Sequence, residues 1–198
     1  MAEPVMERRE AIRRVVGMLG GVALVGSSGL LAACGRERSS AVPIGTFSVA
    51  DIALLDEIAE GIIPTTDTPG AKAAQTGAFM ALMVTDAYTP EDATIFRTGL
   101  GTLDEAVRAA GGTTFMAAPT ELRTRVLEAL DAEQHAAMKD APSDKPRHWF
   151  RMVKELVLTG YFTSEIGMTQ ALRYVEAPGR FDPCVPYADG EKIWAPHA

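Results

Sequence analysis

The stretch from Ser48 to Ile62 reads SVADIALLDEIAEGI and carries the clearest structural signal in the chain. Its apolar residues recur at three- and four-residue steps, which places them on one face of an α-helix. Ser48 is a favoured N-cap residue, and Pro64 ends the pattern. The apolar face consists of Ile52, Leu55, Ile58, Ala59 and Ile62. The stretch therefore predicts an amphipathic helix that packs on a core.

Helical patterns also fill the chain after this helix, separated by segments rich in Pro and Gly. We expect a second helix capped by Thr76 that carries Phe79, Leu82 and Met83, and a third that runs from Pro90 to Gly111. Three more are predicted to open at Thr120, at about Arg147 (ending near Gly160) and at Ser164, the last ending near Val175. No segment shows sustained alternation of β-branched residues. The prediction is an all-α fold: a small, irregular, orthogonal bundle of five to six helices over residues 47–177.

Length, charge and cysteine content exclude several classes of function for this chain. The chain has 198 residues, enough for one domain, with a net charge of -7 and no basic tract. This charge argues against nucleic acid as a partner, because phosphate neutralisation needs clustered Lys and Arg. Two cysteines exclude a four-cysteine zinc or iron–sulfur site, and the absence of a CxxCH motif excludes covalent c-type haem in this chain.

Residues 1–33 have the organisation of an export signal. A charged segment containing Arg8 and Arg9 precedes the uncharged run from Val15 to Ala33, which several glycines dilute. The adjacent arginines resemble a twin-arginine (Tat) signal, although Glu7 and Ala11 depart from the usual residues around the pair. An ordinary Sec signal and a transmembrane anchor are the alternatives, since 19 helical residues nearly span a bilayer core.

Cys34 follows Leu31-Ala32-Ala33, a sequence that resembles a bacterial lipobox. The pattern predicts a lipid-modified Cys34 with residues 34–46 as a tether, and two acyl chains would hold the protein stably on a membrane. A chance cysteine after a cleavage site is the alternative. Residues 34–198 carry 15 basic and 23 acidic side chains, a net charge of -8.

The chain after Pro178 contains apolar and aromatic residues without a period. Its prolines forbid a long helix, and its apolar content is too high for a disordered tail. We expect residues 178–198 to form an extended arm lying on this domain or on a partner. The candidate partner interface comprises Thr163, Ser164, Glu165, Phe181, Pro183, Pro186, Tyr187 and Trp194.

Two stretches resemble a known family. The first is Ile62-Ile63-Pro64-Thr65-Thr66-Asp67-Thr68-Pro69-Gly70-Ala71. The second is Gly160-Tyr161-Phe162-Thr163-Ser164-Glu165-Ile166-Gly167, continuing through Tyr174, Pro178-Gly179 and Phe181 to Cys184 and Pro186. With the twin-arginine leader, the chain resembles the gluconate 2-dehydrogenase subunit 3 family over roughly residues 47–190. Its members are small subunits of periplasmic, FAD-dependent sugar and polyol dehydrogenases.

The resemblance implies a role other than catalysis. In this family a glucose-methanol-choline-type flavoprotein binds FAD and oxidises the sugar, and the small subunit carries it in folded form through the Tat translocase. Some complexes add a c-type cytochrome with its haem as a third subunit. The resemblance thus implies a periplasmic location, no cofactor in this chain and FAD on the partner. The lipobox is a departure from the usual pattern and predicts membrane attachment.

The residues themselves agree with a non-catalytic subunit. Gly99-Leu100-Gly101 falls inside a predicted helix, so it does not form the strand-to-helix turn that binds a dinucleotide. The three histidines lack metal-ligand spacing, and Ser164-Glu165 fits a helix start better than a nucleophile with its carboxylate. An independent lipoprotein with its own ligand-binding or enzymatic role is the alternative hypothesis.

Cys184 lies between Pro183 and Val185 in the predicted arm. If lipid occupies Cys34, Cys184 has no partner in the mature chain, and an oxidising compartment favours either burial or a bond to another chain. An intersubunit disulfide and a buried free thiol packed by Phe181 and Tyr187 are the two interpretations.

Overall fold

The structure is a computed structural model that describes residues 42–142, 145–177, 179, 184 and 186–195. The predicted leader with Arg8 and Arg9, the lipidation candidate Cys34, and Phe181 and Pro183 lie outside the described residues. Within them the chain forms six α-helices and a π-helical turn, with isolated bridges but no strand. The helices are α1 (Val49–Ile62), α2 (Thr76–Asp86), α3 (Pro90–Gly101), α4 (Leu103–Ala109), α5 (Thr120–Met138) and α6 (Trp149–Phe162), and the π-helical turn spans Gly167–Ala171. The predicted all-α fold is confirmed.

Helix α1 begins at a capping box. The Ser48 hydroxyl accepts a hydrogen bond from the Asp51 N–H at 3.2 Å, and the Asp51 carboxylate accepts one from the Ser48 N–H at 2.8 Å. These reciprocal bonds satisfy two backbone donors that the first turn leaves free. Four of the five residues of the predicted apolar face are buried, with Leu55 and Ile58 fully inaccessible, and Ile62 is half-buried. The helix start and most of the buried face of α1 are therefore those that the local sequence predicts.

Helix α6 is central to the packing of the described residues. It contacts α1, α2, α3, α5 and the π-helical turn, and α1 also packs along α2 and α5. Its buried residues include Phe150, Val153, Val157 and Tyr161, which join α1 residues in a single apolar cluster. No helix among the described residues is long and apolar enough to span a bilayer.

The predicted third helix is two helices, because the chain turns at Thr102. Both the Thr102 N–H (3.0 Å) and the Thr102 hydroxyl (2.7 Å) donate to the Gly99 carbonyl. These local bonds compete with the regular helical ladder. The change of direction places Leu103 and Val107 in the core through α4, which packs against α5.

Helix α2 differs from the prediction in its start and in its buried face. Gln75 precedes it in the left-handed region (φ 55°), and Thr76 is buried and donates its hydroxyl to the Ala71 carbonyl at 2.8 Å instead of capping the helix. The core face carries Met80 and Val84, whereas Leu82 is exposed. This segment is apolar around most of its circumference, so its periodicity did not identify the buried side.

The ends of the last two predicted helices also shift. Helix α6 spans Trp149–Phe162, two residues later than predicted. The helix expected up to Val175 ends much earlier, because the π-helical turn stops at Ala171 and Leu172 is extended (φ -109°, ψ 177°). Leu172 is buried in this extended conformation, and the next residue bonds to the C-terminal arm. Tertiary contacts therefore end the helix at Ala171, although the sequence pattern predicts that it continues to Val175.

Candidate partner interface

The two stretches that resemble the family meet in space. Tyr161, near the end of α6, is 2 % exposed, and its hydroxyl donates to the Pro69 carbonyl at 2.7 Å. The neighbouring Gly160 leaves room for α2, since a Cβ there would lie 2.6 Å from the Phe79 ring. The loop after α1 is thereby fixed against α6, although 92 residues separate the bonded pair.

Glu60 organises the rest of this loop. Its carboxylate accepts hydrogen bonds from the Thr65 N–H at 2.8 Å, the Thr65 hydroxyl at 2.7 Å and the Lys72 N–H at 3.1 Å. Backbone N–H groups in a loop lack the carbonyl acceptors that a helix or sheet would supply, and the carboxylate takes the place of those acceptors. The conformation of the loop is therefore fixed by a small number of side chains.

The C-terminal arm comes close to the same loop. The Thr66 hydroxyl and neighbouring backbone N–H groups lower the pKa of Asp67, and the positive charge of Lys192 contributes to the shift. The Lys192 ammonium also donates to the Gln170 carbonyl in the π-helical turn. Three segments distant in sequence therefore converge at one end of α6.

Thr163, Ser164 and Glu165 lie where α6 gives way to the π-helical turn. The Ser164 hydroxyl donates to the Tyr161 carbonyl at 2.7 Å and accepts from the Gly167 N–H at 3.0 Å, while Thr163 donates to the Thr159 carbonyl at 2.6 Å. The bonds to the Tyr161 and Thr159 carbonyls close the end of α6, and the bond from the Gly167 N–H is that of a helix start. A Cβ at Gly167 would overlap the Tyr161 carbonyl oxygen, so this turn requires glycine. Glu165 is exposed beside it.

Arg173 joins the body of the domain to the arm. Its N–H donates to the Ile193 carbonyl at 2.9 Å, and its carbonyl accepts from the Ala195 N–H at 2.8 Å. Its guanidinium lies 4.5 Å from the centroid of the Trp194 ring and 3.6 Å from the Glu191 carboxylate. Ala195 is buried by this pairing. The described end of the arm, up to Ala195, is bonded to the domain.

The remaining arm candidates are exposed. Tyr187 and Trp194 are 60 % and 44 % exposed, Pro186 is exposed, and Cys184 is an exposed free thiol in this chain. An exposed Cys184 does not match the interpretation of a thiol buried within this domain. The structure places Trp194 beside Arg173, two residues after the π-helical turn, and Thr163, Ser164 and Glu165 shortly before that turn.

Two of the three histidines lie among the described residues. His148 precedes α6 and its Nδ1 accepts from the Phe150 N–H at 3.2 Å, while its Nε2 lies 3.4 Å from the Glu133 carboxylate. His135 is exposed on α5. No cluster of three metal-ligating side chains occurs among the described residues. A shallow depression of about 420 Å³ on α4 and α5 lies away from both motifs and is lined largely by alanine.

Two residues that hold this region together, Glu60 and Arg173, were not predicted from the sequence. Glu60 stands on the polar side of the last turn of α1, directly before a loop whose backbone donors need acceptors, and that position was the available signal. Arg173 precedes Tyr174 in an apolar segment. Its pairing with residues twenty positions away has no local signature.

The family model described as gluconate 2-dehydrogenase subunit 3 matches residues 50–179. No curated protein and no solved structure matches the chain. The matched range runs from α1 through the π-helical turn and contains both the loop held by Glu60 and the motif around Tyr161. The chain therefore belongs to the gluconate 2-dehydrogenase subunit 3 family.

Proposed function

We propose that this chain is the non-catalytic small subunit of a membrane-associated, FAD-dependent sugar or polyol dehydrogenase. In this proposal it escorts a folded glucose-methanol-choline-type flavoprotein through the Tat translocase, assists its maturation and anchors it in the periplasm. The observation that carries the proposal is the family match over residues 50–179, because the family is named for a subunit of a dehydrogenase. The twin-arginine pair and the lipobox support the export and anchoring roles.

The described residues do not fit FAD. Gly99 and Gly101 lie within α3, where their backbone serves the helix, and no strand precedes them to form a phosphate-binding turn among the described residues. We therefore assign FAD to the flavoprotein, with c-type haem on a third subunit where the complex has one. No chemical step is assigned to side chains of this chain.

Affinity purification of the full chain from its own membranes tests the main proposal. We expect it to carry a stoichiometric flavoprotein with a flavin absorbance spectrum and dye-linked sugar or polyol oxidation. Removal of the small subunit should leave that activity on the flavoprotein. A chain that purifies alone, or that binds a small ligand by itself, would instead support the independent lipoprotein.

Arg8 and Arg9 are proposed to direct export of the pair. The double substitution Arg8→Lys with Arg9→Lys should retain both the precursor and the flavoprotein in the cytoplasm. The matched control, Arg13→Lys with Arg14→Lys, keeps the same charge and should export both proteins. Normal export of the Arg8/Arg9 variant would overturn the Tat assignment and favour Sec.

Cys34 is proposed to carry the lipid that anchors the complex. Mass spectrometry of the mature N-terminus should find an acylated cysteine at residue 34. The Cys34→Ser variant should release the complex from membranes in low-salt wash. An unmodified N-terminus at another residue would remove the anchor from the proposal.

Cys184 is proposed to form a disulfide with the flavoprotein, since its thiol is exposed on this chain and lies in the arm. Non-reducing electrophoresis of a complex alkylated before lysis should show a band at the summed mass. Reduction or Cys184→Ser should abolish this band. Two separate bands without reductant would show that the subunits associate without a covalent bond.

A further inference from the structure

Helices α4 and α5 border an open depression of about 420 Å³ at the surface of the domain, which we call the alanine groove. Two buried residues of α5, Val126 and Leu130, contribute to its apolar lining. Its other apolar side chains are no larger than a methyl group and belong to Ala106, Ala109, Ala110 and Ala129. Because the distance between two packed helices depends on the side chains at their contact, this groove lets a further helix approach closely.

Two opposite charges lie on the α5 side of the alanine groove. Arg125 and Glu133 both line it, and they stand four residues before and four residues after Ala129. Residues at this spacing are neighbours on one side of a helix, so the three side chains form a row roughly 12 Å long along the helix axis. Ala129 therefore lies midway between a cation and an anion.

Both charges are available to another molecule. Arg125 is exposed and has no ion-pair partner among the residues that the structure describes. The Glu133 side chain is 65 % exposed, and its carboxylate lies 3.4 Å from the Nε2 atom of His148, a ring that is charged only when protonated. Neither charge of the row is therefore matched within the domain by a permanently charged group.

We propose that the alanine groove is the contact between two copies of this chain, related by a two-fold axis that passes beside Ala129. Such an axis makes the two α5 helices run antiparallel, which sets Arg125 of each copy opposite Glu133 of the other. The row is thus complementary to itself, and both ion pairs form in the same dimer. The inference does not depend on the proposed function.

A second copy fits the groove better than other occupants do. One cation and one anion give the lining no net attraction for anionic lipid headgroups or nucleic acid phosphates. A different protein would need the same two charges in reverse order, which a second copy supplies by symmetry. The groove is small beside the surface that a permanent dimer buries, so we expect a reversible dimer that forms at roughly micromolar concentration.

Cross-linking at the axis tests the contact in the full chain within its own membranes. In a Cys184→Ser background, Ala129→Cys should give a disulfide-linked band at twice the chain mass, because a residue beside a two-fold axis meets its own copy. Ala136→Cys is the matched control, since Ala136 is exposed on α5 but would lie roughly 20 Å along the helix axis from its copy.

The Ala136→Cys variant and the Cys184→Ser parent should give no doubled band. If Ala129→Cys gives none, or gives one no stronger than the control does, the proposal is overturned. If Ala129→Cys instead links the chain to a protein of another mass, the groove faces a different partner and the proposal is wrong.

Exchange of the two charges tests the pairing itself. In the Ala129→Cys chain, Arg125→Glu or Glu133→Arg alone should lower the cross-linked fraction at least about fivefold, because like charges then face each other. The double exchange should restore cross-linking, and the two single variants should link to each other when they are co-expressed. Asp86→Arg is the control and should change nothing, because it lies on α2, which contacts neither α4 nor α5.

The double exchange also separates pairing from folding. A folding defect caused by loss of the contact between Glu133 and His148 would persist when Arg125→Glu is added, whereas a pairing defect would be repaired. If the double exchange does not restore cross-linking, the proposed register of the two copies is wrong.

Discussion

At the scale of single residues, Tyr161 has a disproportionate role because its hydroxyl joins two stretches that the sequence keeps far apart. The ring is buried among α6 contacts, while the hydroxyl reaches the Pro69 carbonyl at 2.7 Å. Most tyrosines that are buried in this way have such a polar partner. The hydroxyl therefore fixes the loop, whereas the ring supplies the buried apolar surface.

A variant that lacks only this hydroxyl measures how much the hydrogen bond contributes to stability. Tyr161→Phe keeps the ring and should lower the free energy of unfolding by about 1 kcal/mol, the net contribution of one such bond. Urea denaturation measures the change. Tyr187→Phe is the control, since Tyr187 is exposed, and it should unfold as the wild type does. A loss confined to the control would contradict the assigned bond.

The ion pairs of Glu57 make the free energy of unfolding depend on pH, and the direction of this dependence follows from the shift of its pKa. Hydrogen bonding from the Lys72 ammonium lowers the pKa of Glu57, and the Arg123 guanidinium at 2.6 Å adds to the shift. A lowered carboxyl pKa stabilises the fold above the ordinary glutamate value of 4.5, and this contribution is lost as the pH falls through the folded-state pKa.

Glu57→Gln should therefore lower the free energy of unfolding by about 1 kcal/mol at pH 7, a modest value because water screens a pair near the surface. The difference from wild type should shrink as the pH falls below 4.5, since the native carboxyl then becomes neutral too. Denaturation at a series of pH values checks this. A constant difference from pH 7 to pH 3 would rule out the charged pair; Glu128→Gln, exposed on α5, is the control.

At the scale of elements, helix α3 packs on α6 through a residue without a side chain. A Cβ at Gly99 would overlap the Cβ and Cγ atoms of Trp149, and this Trp149 Cβ cannot move without shifting the α6 backbone. For Gly101, two residues later in the same helix, no atom of a described residue other than its chain neighbours and the adjoining helix backbone lies within 4 Å of the place that a Cβ would take, and its φ is not positive. The two glycines look alike in sequence and differ only in what faces them.

Gly99→Ala should lower the free energy of unfolding by about 1–3 kcal/mol through overpacking. Gly101→Ala should leave it unchanged or raise it by up to about 1 kcal/mol, because alanine favours helix more than glycine does. Thermal unfolding of both variants decides the matter. Equal effects at the two positions would contradict the close approach of α3 and α6.

At the scale of the whole molecule, the helical core and the C-terminal arm have separate buried apolar residues. The main apolar cluster ends with Tyr161 and contains neither Leu172 nor Ala195, although both are buried. The described part of the arm attaches through two backbone bonds, the stacked Arg173 guanidinium, the Arg173–Glu191 ion pair and the bond from Lys192 to the Gln170 carbonyl. Folding of the helices should therefore not depend on the arm.

Deleting residues 191–198 should preserve the helical circular dichroism signal and cooperative unfolding, with a loss below about 2 kcal/mol. Leu55→Ala in the core is the comparison and should cost about 2–5 kcal/mol. Thermal and urea denaturation measure both. Loss of helicity in the deletion variant would show that the arm is part of the core.

Local chemistry determined the parts of this protein that short-range interactions govern. The apolar period of α1, the Ser48 cap, the Pro and Gly breaks and the start of α5 could be predicted because a helix forms its bonds within four residues. The family resemblance also came from contiguous residues, at positions 62–71 and 160–167. Tertiary structure alone decided the buried face of α2, the early end of the last helix, and the meeting of Tyr161 with Pro69 and of Arg173 with Trp194. In each of these cases the deciding partner lies in another segment or the local signal fits two answers, and only packing of the whole chain selects between them.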